Sequence, residues 1–473
     1  MESEGRPHVV LIPWLAIGHL IPFLELSKCL AQKGFYISFV STPRNIESLP
    51  KIPSYLLSLI NLVKLPLPRV DNLPEYAEST ADLSVDKVHY LKKAFDGLQA
   101  PLANFLENSV PISWIVYDFA AYWLPPIANK LGVPCAFFCL MNAASIAWTG
   151  PPSMLMGITE DPRKTLEDLL GVPKWITLPS NIVFRLYEVL RLINGNKVNV
   201  SGVSEGYRFG AAVQGCDAVF IRSCTEFEPD YLRLVEEEIY KKPVIPVGLL
   251  PPSVNEKSGD NVDKWEEISK WLDKQKEQSV AYVAIGTEAA LTKEELTELA
   301  LGLEQSQLPF FWVIRKPPSL AGDEWVALPD RFDERISGRG FICKGWAPQL
   351  RILSHPSVGG FLTHCGWNSI IESLGFGRVL GLLPFRAEQG LNARIFEERK
   401  IGLEIPRDEQ DGSFTRDAVA KTLRLIMVDE EGEIFRSNAK EMRGIFGNKD
   451  LHDRYIDNFV QYLHDYKCKE SQK

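Results

Sequence analysis

One uninterrupted stretch of the sequence, from Trp346 to Gln389, carries side chains suited to holding a nucleotide and a sugar. Trp346 offers a flat aromatic face on which a nucleobase can stack. Further along, a predicted strand at 358–362 leads through Gly366 into a predicted helix at 370–376. Backbone N–H groups at a helix start bind phosphate, and a glycine there lets the chain approach the anion closely. The stretch therefore predicts a site for a nucleotide sugar.

Polar side chains around this helix start add hydrogen-bond donors and acceptors. His364, Asn368 and Ser369 supply side-chain donors for a diphosphate. Glu372 lies one helical turn beyond Asn368 on the same face, where its carboxylate can accept both hydroxyls of a ribose. Gly286-Thr287 ends another predicted strand and supplies a second donor-rich turn. Any one of these residues alone is more often structural or solvated, but the ordered set indicates a binding site.

A histidine and an aspartate stand where the edge of a first sheet would bring them together. His19 follows the predicted strand 8–14 at the start of the first helix, and Asp118 ends the predicted strand 114–117. A neutral imidazole suits general-base work because its unperturbed pKa of ~6.5 is near working pH. A neighbouring carboxylate can orient the ring and stabilise the imidazolium. An isolated early histidine is usually structural, so this interpretation depends on the nucleotide-sugar stretch.

Composition and charge narrow the class of protein. The 473 residues are too many for one ordinary core and indicate two or three domains. A net charge of −9 without any basic run argues against nucleic acid as a partner. A polar start, short apolar runs and eight scattered cysteines predict a cytoplasmic protein with no membrane span, which we expect to be a monomer. No D-x-D triplet occurs, so we expect neither a metal nor another cofactor.

Strands and helices alternate in two successive halves. The predicted strands are 8–14, 36–40, 114–117 and 134–140 in the first half, and 279–285, 309–315, 340–344, 358–362 and 379–384 in the second. The predicted helices are 21–33, 122–130, 370–376, 452–466 and one that a capping box at Thr292 begins and that runs to about 305. This alternation predicts the α/β class, with two doubly wound, Rossmann-like domains facing each other across a cleft.

We predict four segments along the chain. Residues 1–249 form the N-terminal domain, 250–265 a linker rich in Pro, Ser, Asn and charge, and 266–450 the C-terminal domain. Residues 451–473 form an amphipathic helix, with Tyr455, Phe459 and Leu463 at four-residue spacing. This helix can dock back onto either half, and we assign it to the N-terminal domain.

The stretch from Trp346 to Gln389 resembles the signature box of plant UDP-dependent glycosyltransferases, the inverting family-1 enzymes of GT-B fold. The resemblance covers the whole box and its order. It implies that Trp346 stacks on uracil, that Glu372 holds the ribose, and that a UDP-sugar is the co-substrate. The donor-binding residues that it implies are Gly18, Thr287, Trp346, Ala347, Gln349, His364, Gly366, Trp367, Asn368, Ser369, Glu372, Glu388 and Gln389.

Two departures and three further matches refine the resemblance. The box usually has Asp before its final Gln, whereas this chain has Glu388, and Arg386 places a cation just upstream. The stretches 13–19, 41–46 and 247–252 resemble the branch that adds a sugar to an existing sugar of flavonoid or terpenoid glycosides. That branch implies UDP-glucose, UDP-rhamnose or UDP-xylose as donor, and Gln389 favours UDP-glucose.

The resemblance also implies a mechanism and an acceptor side. His19 would remove a proton from an acceptor hydroxyl with help from Asp118, and the sugar would be transferred with inversion. The N-terminal half supplies apolar and aromatic side chains that suit a flat, hydroxylated small molecule or its glycoside. The candidate acceptor-binding residues are Trp14, Phe119 and Asn142, of which Asn142 could instead touch the donor sugar.

Two other functions compete with this interpretation. The run 202–206 matches the G-x-S-x-G elbow of serine hydrolases, with Ser204 as the nucleophile. That elbow needs a buried strand before it, but 192–197 is polar and turn-like, so the match is read as chance. A small-molecule receptor without catalysis would not need His19 and Asp118 together.

Overall fold

The computed structural model describes residues 5–195, 197–252, 262–286, 291–316 and 327–470. Within these ranges thirteen strands form two sheets. The strands are β1 His8–Ile12, β2 Tyr36–Ser41, β3 Ile60–Lys64, β4 Trp114–Tyr117, β5 Cys135–Cys139, β6 Ala218–Ile221, β7 Val244–Pro246, β8 Val280–Ala284, β9 Phe310–Ile314, β10 Gly340–Lys344, β11 Val358–Thr363, β12 Val379–Leu382 and β13 Gly402–Glu404.

Helices connect these strands throughout. The α-helices are α1 Ile17–Gln32, α2 Pro43–Ser48, α3 Val88–Asp96, α4 Gln99–Glu107, α5 Leu124–Lys130, α6 Ala143–Thr149, α7 Pro152–Leu155, α8 Leu166–Leu170, α9 Leu186–Gly195, α10 Glu205–Gly215, α11 Pro229–Leu234, α12 Val262–Leu272, α13 Lys293–Ser306, α14 Phe332–Arg335, α15 Gln349–Ser354, α16 Trp367–Leu374, α17 Gln389–Glu398, α18 Arg416–Met427, α19 Glu433–Phe446 and α20 Lys449–Glu470. Short 3-10 helices lie at Ser54–Leu56, Thr80–Asp82, Val85–Lys87, Phe119–Ala121 and Glu430–Gly432, and a π-helical turn lies at Val235–Tyr240.

Both sheets are parallel and follow the same strand order. The first has the order β3-β2-β1-β4-β5-β6-β7, and the second has β10-β9-β8-β11-β12-β13. In each sheet the order reverses beside the first strand, between β1 and β4 and between β8 and β11. Open α/β sheets bind ligands at this switch point, beyond the carboxyl ends of the strands. The predicted pair of doubly wound α/β domains is confirmed.

The structure moves several predicted boundaries. The first helix begins at Ile17 rather than 21, and the helix of the donor stretch begins at Trp367 rather than 370. The predicted helix 122–130 begins at Leu124 rather than 122, and Pro125 and Pro126 lie in its first turn, where proline is tolerated. Strands β3, β6, β7 and β13 were not predicted.

The C-terminal helix packs against the first sheet. Tyr455, Phe459 and Leu463 are buried, and the ring of Phe459 lies 4.6 Å from that of Phe220 on β6. The Trp114 indole N–H donates a hydrogen bond of 3.2 Å to the Leu463 carbonyl. The predicted linker, 250–265, falls largely outside the described residues at 253–261, and α12 begins at Val262.

Candidate active site

His19 and Asp118 face each other across the switch point of the first sheet. The two adjoining strands, β1 and β4, pair Ile12 with Tyr117, so the loops that follow them emerge side by side. His19 Nδ1 lies 2.7 Å from Asp118 Oδ2, and the aspartate is buried while the imidazole is partly exposed. The predicted base and its carboxylate are therefore placed within hydrogen-bond distance.

A large cavity of about 2370 Å³ opens beside this pair, between the two sheets. Its walls come from both halves of the chain. The lining residues include sixteen of the predicted site residues, namely Trp14, Gly18, His19, Asp118, Phe119, Trp346, Ala347, Gln349, His364, Gly366, Trp367, Asn368, Ser369, Glu372, Glu388 and Gln389. One cavity thus holds the proposed base and the proposed donor-binding stretch.

The start of α16 carries the predicted phosphate-binding groups. Gly366 is the N-terminal cap, and the two preceding positions form a tight turn in which Cys365 has a left-handed φ of 67°. The Asn368 amide donates a 2.8 Å hydrogen bond to the Gly18 carbonyl, one residue before His19. A Cβ at Gly366 would lie 2.5 Å from His364 Nε2, so only glycine fits against this imidazole. The N–H groups of α16 are consequently directed into the cavity near the base.

A carboxylate and an amide lie one turn further along α16. Glu372 accepts a 2.7 Å hydrogen bond from Gln349 Nε2, and the Tyr282 hydroxyl donates to Gln349 Oε1 at 3.2 Å. Burial raises the pKa of the Glu372 carboxyl, although the Gln349 bond and the Arg222 charge act in the opposite direction. The tyrosine fixes the amide, and the amide in turn orients the carboxylate.

Trp346 follows β10 and stands at the cavity mouth with 56% of its surface exposed. The Arg315 guanidinium lies 4.6 Å from the centre of its ring, in a cation–π arrangement. Ala347 is buried and contributes mainly backbone. An exposed ring held by a cation is suited to stacking on a nucleobase.

Glu388 and Gln389 stand at the start of α17 and line the cavity. The Gln389 Oε1 atom accepts hydrogen bonds from the N–H groups of Phe385 and Arg386, at 3.0 and 3.1 Å. Ala387 has a left-handed φ of 48°, so the turn before the helix is tight. The glutamine oxygen is occupied by this turn, which leaves its amide N–H₂ to act as a donor.

Two predicted site residues, Trp367 and Asn142, are placed differently from the rest. The Trp367 ring is buried beside Phe227, and its indole N–H donates to the Arg222 carbonyl at 2.9 Å, so the backbone of Trp367 is what reaches the cavity. Asn142 is fully buried and caps α6 while donating to Asn392 Oδ1 at 2.5 Å. It joins the two halves of the chain and does not line the cavity. Thr287 lies outside the described residues.

Ser204 does not form a nucleophile elbow. It caps the N-terminus of α10, where its hydroxyl accepts a 3.1 Å hydrogen bond from the Tyr207 N–H. The residues before it, 197–203, form turns rather than a strand. The G-x-S-x-G match therefore belongs to a helix cap, as the sequence context indicated.

Comparison with known proteins identifies the family. A family model described as "UDP-glucoronosyl and UDP-glucosyl transferase" matches residues 238–449. UDP-glycosyltransferase 91C1 of Arabidopsis thaliana is 52% identical over 463 residues, which are 98% of this chain and 97% of that protein. The chain belongs to the UDP-glycosyltransferase family.

This UDP-glycosyltransferase is also similar to a second curated protein and to a solved structure. The soyasaponin III rhamnosyltransferase of Glycine max is 43% identical, covering 98% of this chain and 97% of that one. The structure of UGT73P12 from Glycyrrhiza uralensis, complexed with glycyrrhetinic acid 3-O-monoglucuronide, matches with a TM-score of 0.77. It is 22% identical over 99% of this chain and 97% of that chain, and it confirms the GT-B fold.

Arg222 is a buried residue of this UDP-glycosyltransferase that sequence reasoning missed. It follows β6, donates to the carbonyls of Leu249 and Leu250 at 2.7 and 3.2 Å, and also donates to Asn368 Oδ1. Burial lowers its pKa to about 10. A lone arginine after an unpredicted strand gave no signal in the sequence, yet it positions the asparagine at the start of α16.

Among the residues that the structure describes, no group of three or more His, Cys, Asp and Glu side chains is arranged to hold a metal ion. Over the same ranges, no helix has both the length and the apolar character needed to span a membrane.

Proposed function

We propose that this UDP-glycosyltransferase transfers glucose from UDP-glucose, with inversion, to a sugar hydroxyl of a flavonoid or terpenoid glycoside. The observation that carries the proposal is the 2.7 Å contact between His19 and Asp118 in the cavity that also holds the donor-binding stretch. A base on one sheet and a phosphate-binding helix start on the other suit a displacement at a carbon held between them.

The proposed reaction is a single in-line displacement. His19 takes the proton of an acceptor hydroxyl, and the Asp118 carboxylate stabilises the imidazolium that forms. The acceptor oxygen attacks the anomeric carbon while the bond from that carbon to the diphosphate breaks. UDP leaves with its charge facing the α16 N-terminus at Asn368 and Ser369. One displacement inverts the anomeric configuration.

The donor residues have separate proposed roles. Trp346 stacks on uracil, the Ala347 backbone and Gln349 read the uridine, and Glu372 accepts the ribose hydroxyls. The backbone at Gly18, Gly366 and Trp367 holds the diphosphate, together with the side chains of His364, Asn368, Ser369 and Thr287. Glu388 and Gln389 bind the sugar hydroxyls. The extra methylene of Glu388 leaves UDP-rhamnose and UDP-xylose as alternative donors, and the Glycine max relative is named as a rhamnosyltransferase.

The acceptor lies in the N-terminal part of the cavity. Trp14 and Phe119 border the His19 pair there, and their rings lie 6.2 Å apart. An aromatic wall beside a base suits a flat, apolar molecule that carries hydroxyl groups. The Glycyrrhiza uralensis protein of the same fold was solved with a compound that already carries one sugar, which supports a glycoside as acceptor.

The experiment crosses three donors with matched acceptors. UDP-glucose, UDP-rhamnose and UDP-xylose are each combined with aglycones and with their monoglucosides, and UDP release and product mass are recorded. We expect product from UDP-glucose and the monoglucosides, with the opposite anomeric configuration to the donor. Product only from aglycones would contradict the glycoside acceptor, and no product from any pair would contradict catalysis in favour of a receptor.

We also propose that the enzyme works as a cytoplasmic monomer without a metal. Activity that persists in excess EDTA and a monomer mass by light scattering are the expected results. Loss of activity that Mg²⁺ restores would contradict the metal-free mechanism.

A further inference from the structure

A charged pair stands in the acceptor part of the cavity, apart from the His19 pair. Lys92 on α3 and Glu205 on α10 form an ion pair with Nζ and Oε2 2.5 Å apart. Both residues line the cavity, and their side chains are 11% and 32% exposed. An ammonium and a carboxylate of this kind are unusual in a wall that must accept an apolar molecule.

The pair is not needed to hold the two helices together, because a second pair already does so. One turn further along both helices, Arg208 on α10 donates to both carboxylate oxygens of Asp96 on α3, at 2.8 and 2.5 Å. The arginine is fully buried and also donates to the Ala120 carbonyl. This bidentate contact fixes the helix pair, and Lys92 and Glu205 are the more exposed of the two pairs and line the cavity.

The Lys92–Glu205 pair lies near the proposed base, His19, with an aromatic ring between them. The Lys92 ammonium lies 5.8 Å from the Trp14 ring and 5.5 Å from the Phe119 ring. The Phe119 ring in turn lies 5.8 Å from the His19 imidazole. One aromatic side chain, that of Phe119, therefore lies between the ion pair and the base.

We propose that Lys92 and Glu205 form a subsite for the sugar already present on the acceptor. This inference rests on the proposed function and specifies which residues distinguish a glycoside from its aglycone. The ammonium donates to sugar oxygens and the carboxylate accepts from sugar hydroxyls, so together they match the mixed donors and acceptors of a neutral sugar. Because the two charges cancel, the subsite does not favour a charged acceptor.

The remaining walls of this region suit the aglycone. Trp148, Phe184, Val189 and Phe209 line the same cavity from α6, α9, α10 and the segment before α9. They are apolar, and the Trp148 and Phe184 rings meet edge to face at 4.5 Å. With the aglycone against these side chains, its sugar reaches toward Lys92, Glu205 and the base.

The test measures acceptor binding directly, so that it does not depend on turnover. Calorimetric dissociation constants are measured with UDP present for two matched pairs, kaempferol with its 3-O-glucoside and oleanolic acid with its 3-O-glucoside. Lys92→Met and Glu205→Gln are expected to weaken binding of at least one glucoside about tenfold, while its aglycone stays within about twofold of the wild type. Lys92→Arg keeps the positive charge and is expected to retain much of the preference for the glucoside over its aglycone.

A matched control and three contrary outcomes complete the test. Lys270→Met breaks an exposed ion pair with Glu266 on α12, outside the cavity, and is expected to change neither constant. Wild-type protein that binds neither glucoside more tightly than its aglycone would overturn the subsite. The subsite would also be overturned by Lys92→Met and Glu205→Gln variants with unchanged melting temperatures that bind glucoside and aglycone equally weakly. The same holds if these variants bind the glucoside as tightly as the wild type does.

The two proposals fail in different measurements. Absence of sugar transfer to every acceptor overturns the proposed function, whereas the subsite is decided by the ratio of the two dissociation constants. Transfer to glucosides that Lys92→Met and Glu205→Gln do not affect would keep the function and remove the subsite.

Discussion

At the scale of single residues, Asp118 is held more firmly than a surface carboxylate. Its Oδ1 accepts a 2.7 Å hydrogen bond from the Phe119 N–H, and its Oδ2 accepts one of 3.1 Å from the Trp14 N–H. These backbone donors fix the carboxylate, which then faces Nδ1 of His19. In the proposed mechanism this arrangement assigns Nε2 of the imidazole to the acceptor proton.

Glu372 provides a prediction for the pH dependence of donor binding. Burial raises the pKa of its carboxyl, and only the charged form accepts hydrogen bonds from both ribose hydroxyls through two oxygens. We therefore expect UDP affinity to fall as pH is lowered, starting at a higher pH than for an exposed glutamate. Glu372→Gln should bind UDP about tenfold more weakly at neutral pH and lose this part of the pH dependence.

Calorimetric titration of UDP from about pH 5 to pH 8 checks this prediction. The pH dependence of UDP affinity that remains in Glu372→Gln measures the part that comes from protonation of the diphosphate itself. Identical pH profiles for wild type and Glu372→Gln would contradict a role for the carboxylate.

At the scale of elements, capping residues decide where the important helices begin. Ser204 accepts from the Tyr207 N–H at the start of α10, and Thr292 forms a capping box with Glu295 at the start of α13. Helix capping therefore explains the Ser204 hydroxyl, which the G-x-S-x-G motif would assign to catalysis.

Replacing Ser204 by Ala tests this assignment. We expect the free energy of unfolding to fall by about 1 kcal/mol, because one N–H group at the helix start loses its partner. Sugar transfer should be unchanged. Urea denaturation and turnover measure the two effects, with Thr292→Ala as a matched cap variant. A large loss of turnover in Ser204→Ala alone would return Ser204 to the list of catalytic candidates.

The sequence predicted elements with a strong local signal well and the shortest strands poorly. The capping box of α13 and the apolar runs of β4 and β10 carry strong local signals, and their bounds agree with the structure to within about one residue. The three-residue strands β7 and β13 have no such signal because neighbouring strands stabilise them. The start of α16 was placed three residues late because Gly366 caps it without a polar side chain.

At the scale of the whole molecule, contacts between the halves shape the cavity. Asn142 donates to Asn392, while Arg222 and the Gly18 carbonyl both bond to Asn368. The signature box predicted residues that lie together along one cavity. It did not predict these links, because they join positions that lie 146 to 350 residues apart and depend on how the two sheets face each other.

The C-terminal helix gives a prediction at this scale. Phe459 on α20 is fully buried against Phe220 of the first sheet. We expect Phe459→Ala to lower the free energy of unfolding by about 3–5 kcal/mol, because it leaves a cavity in the core. Asn458→Ala changes an exposed neighbour on the same helix and should have little effect. Chemical denaturation measures both, and equal stabilities would contradict docking of the helix.

The most direct test of the central claim is the turnover of His19→Ala together with its affinity for UDP. If His19 is the base, turnover falls about 10²- to 10⁴-fold while the dissociation constant of UDP stays within about twofold. His355→Ala removes another histidine paired with an aspartate, 3.1 Å from Asp273 and outside the cavity, and should keep its turnover. Unchanged turnover in His19→Ala would contradict the proposed mechanism.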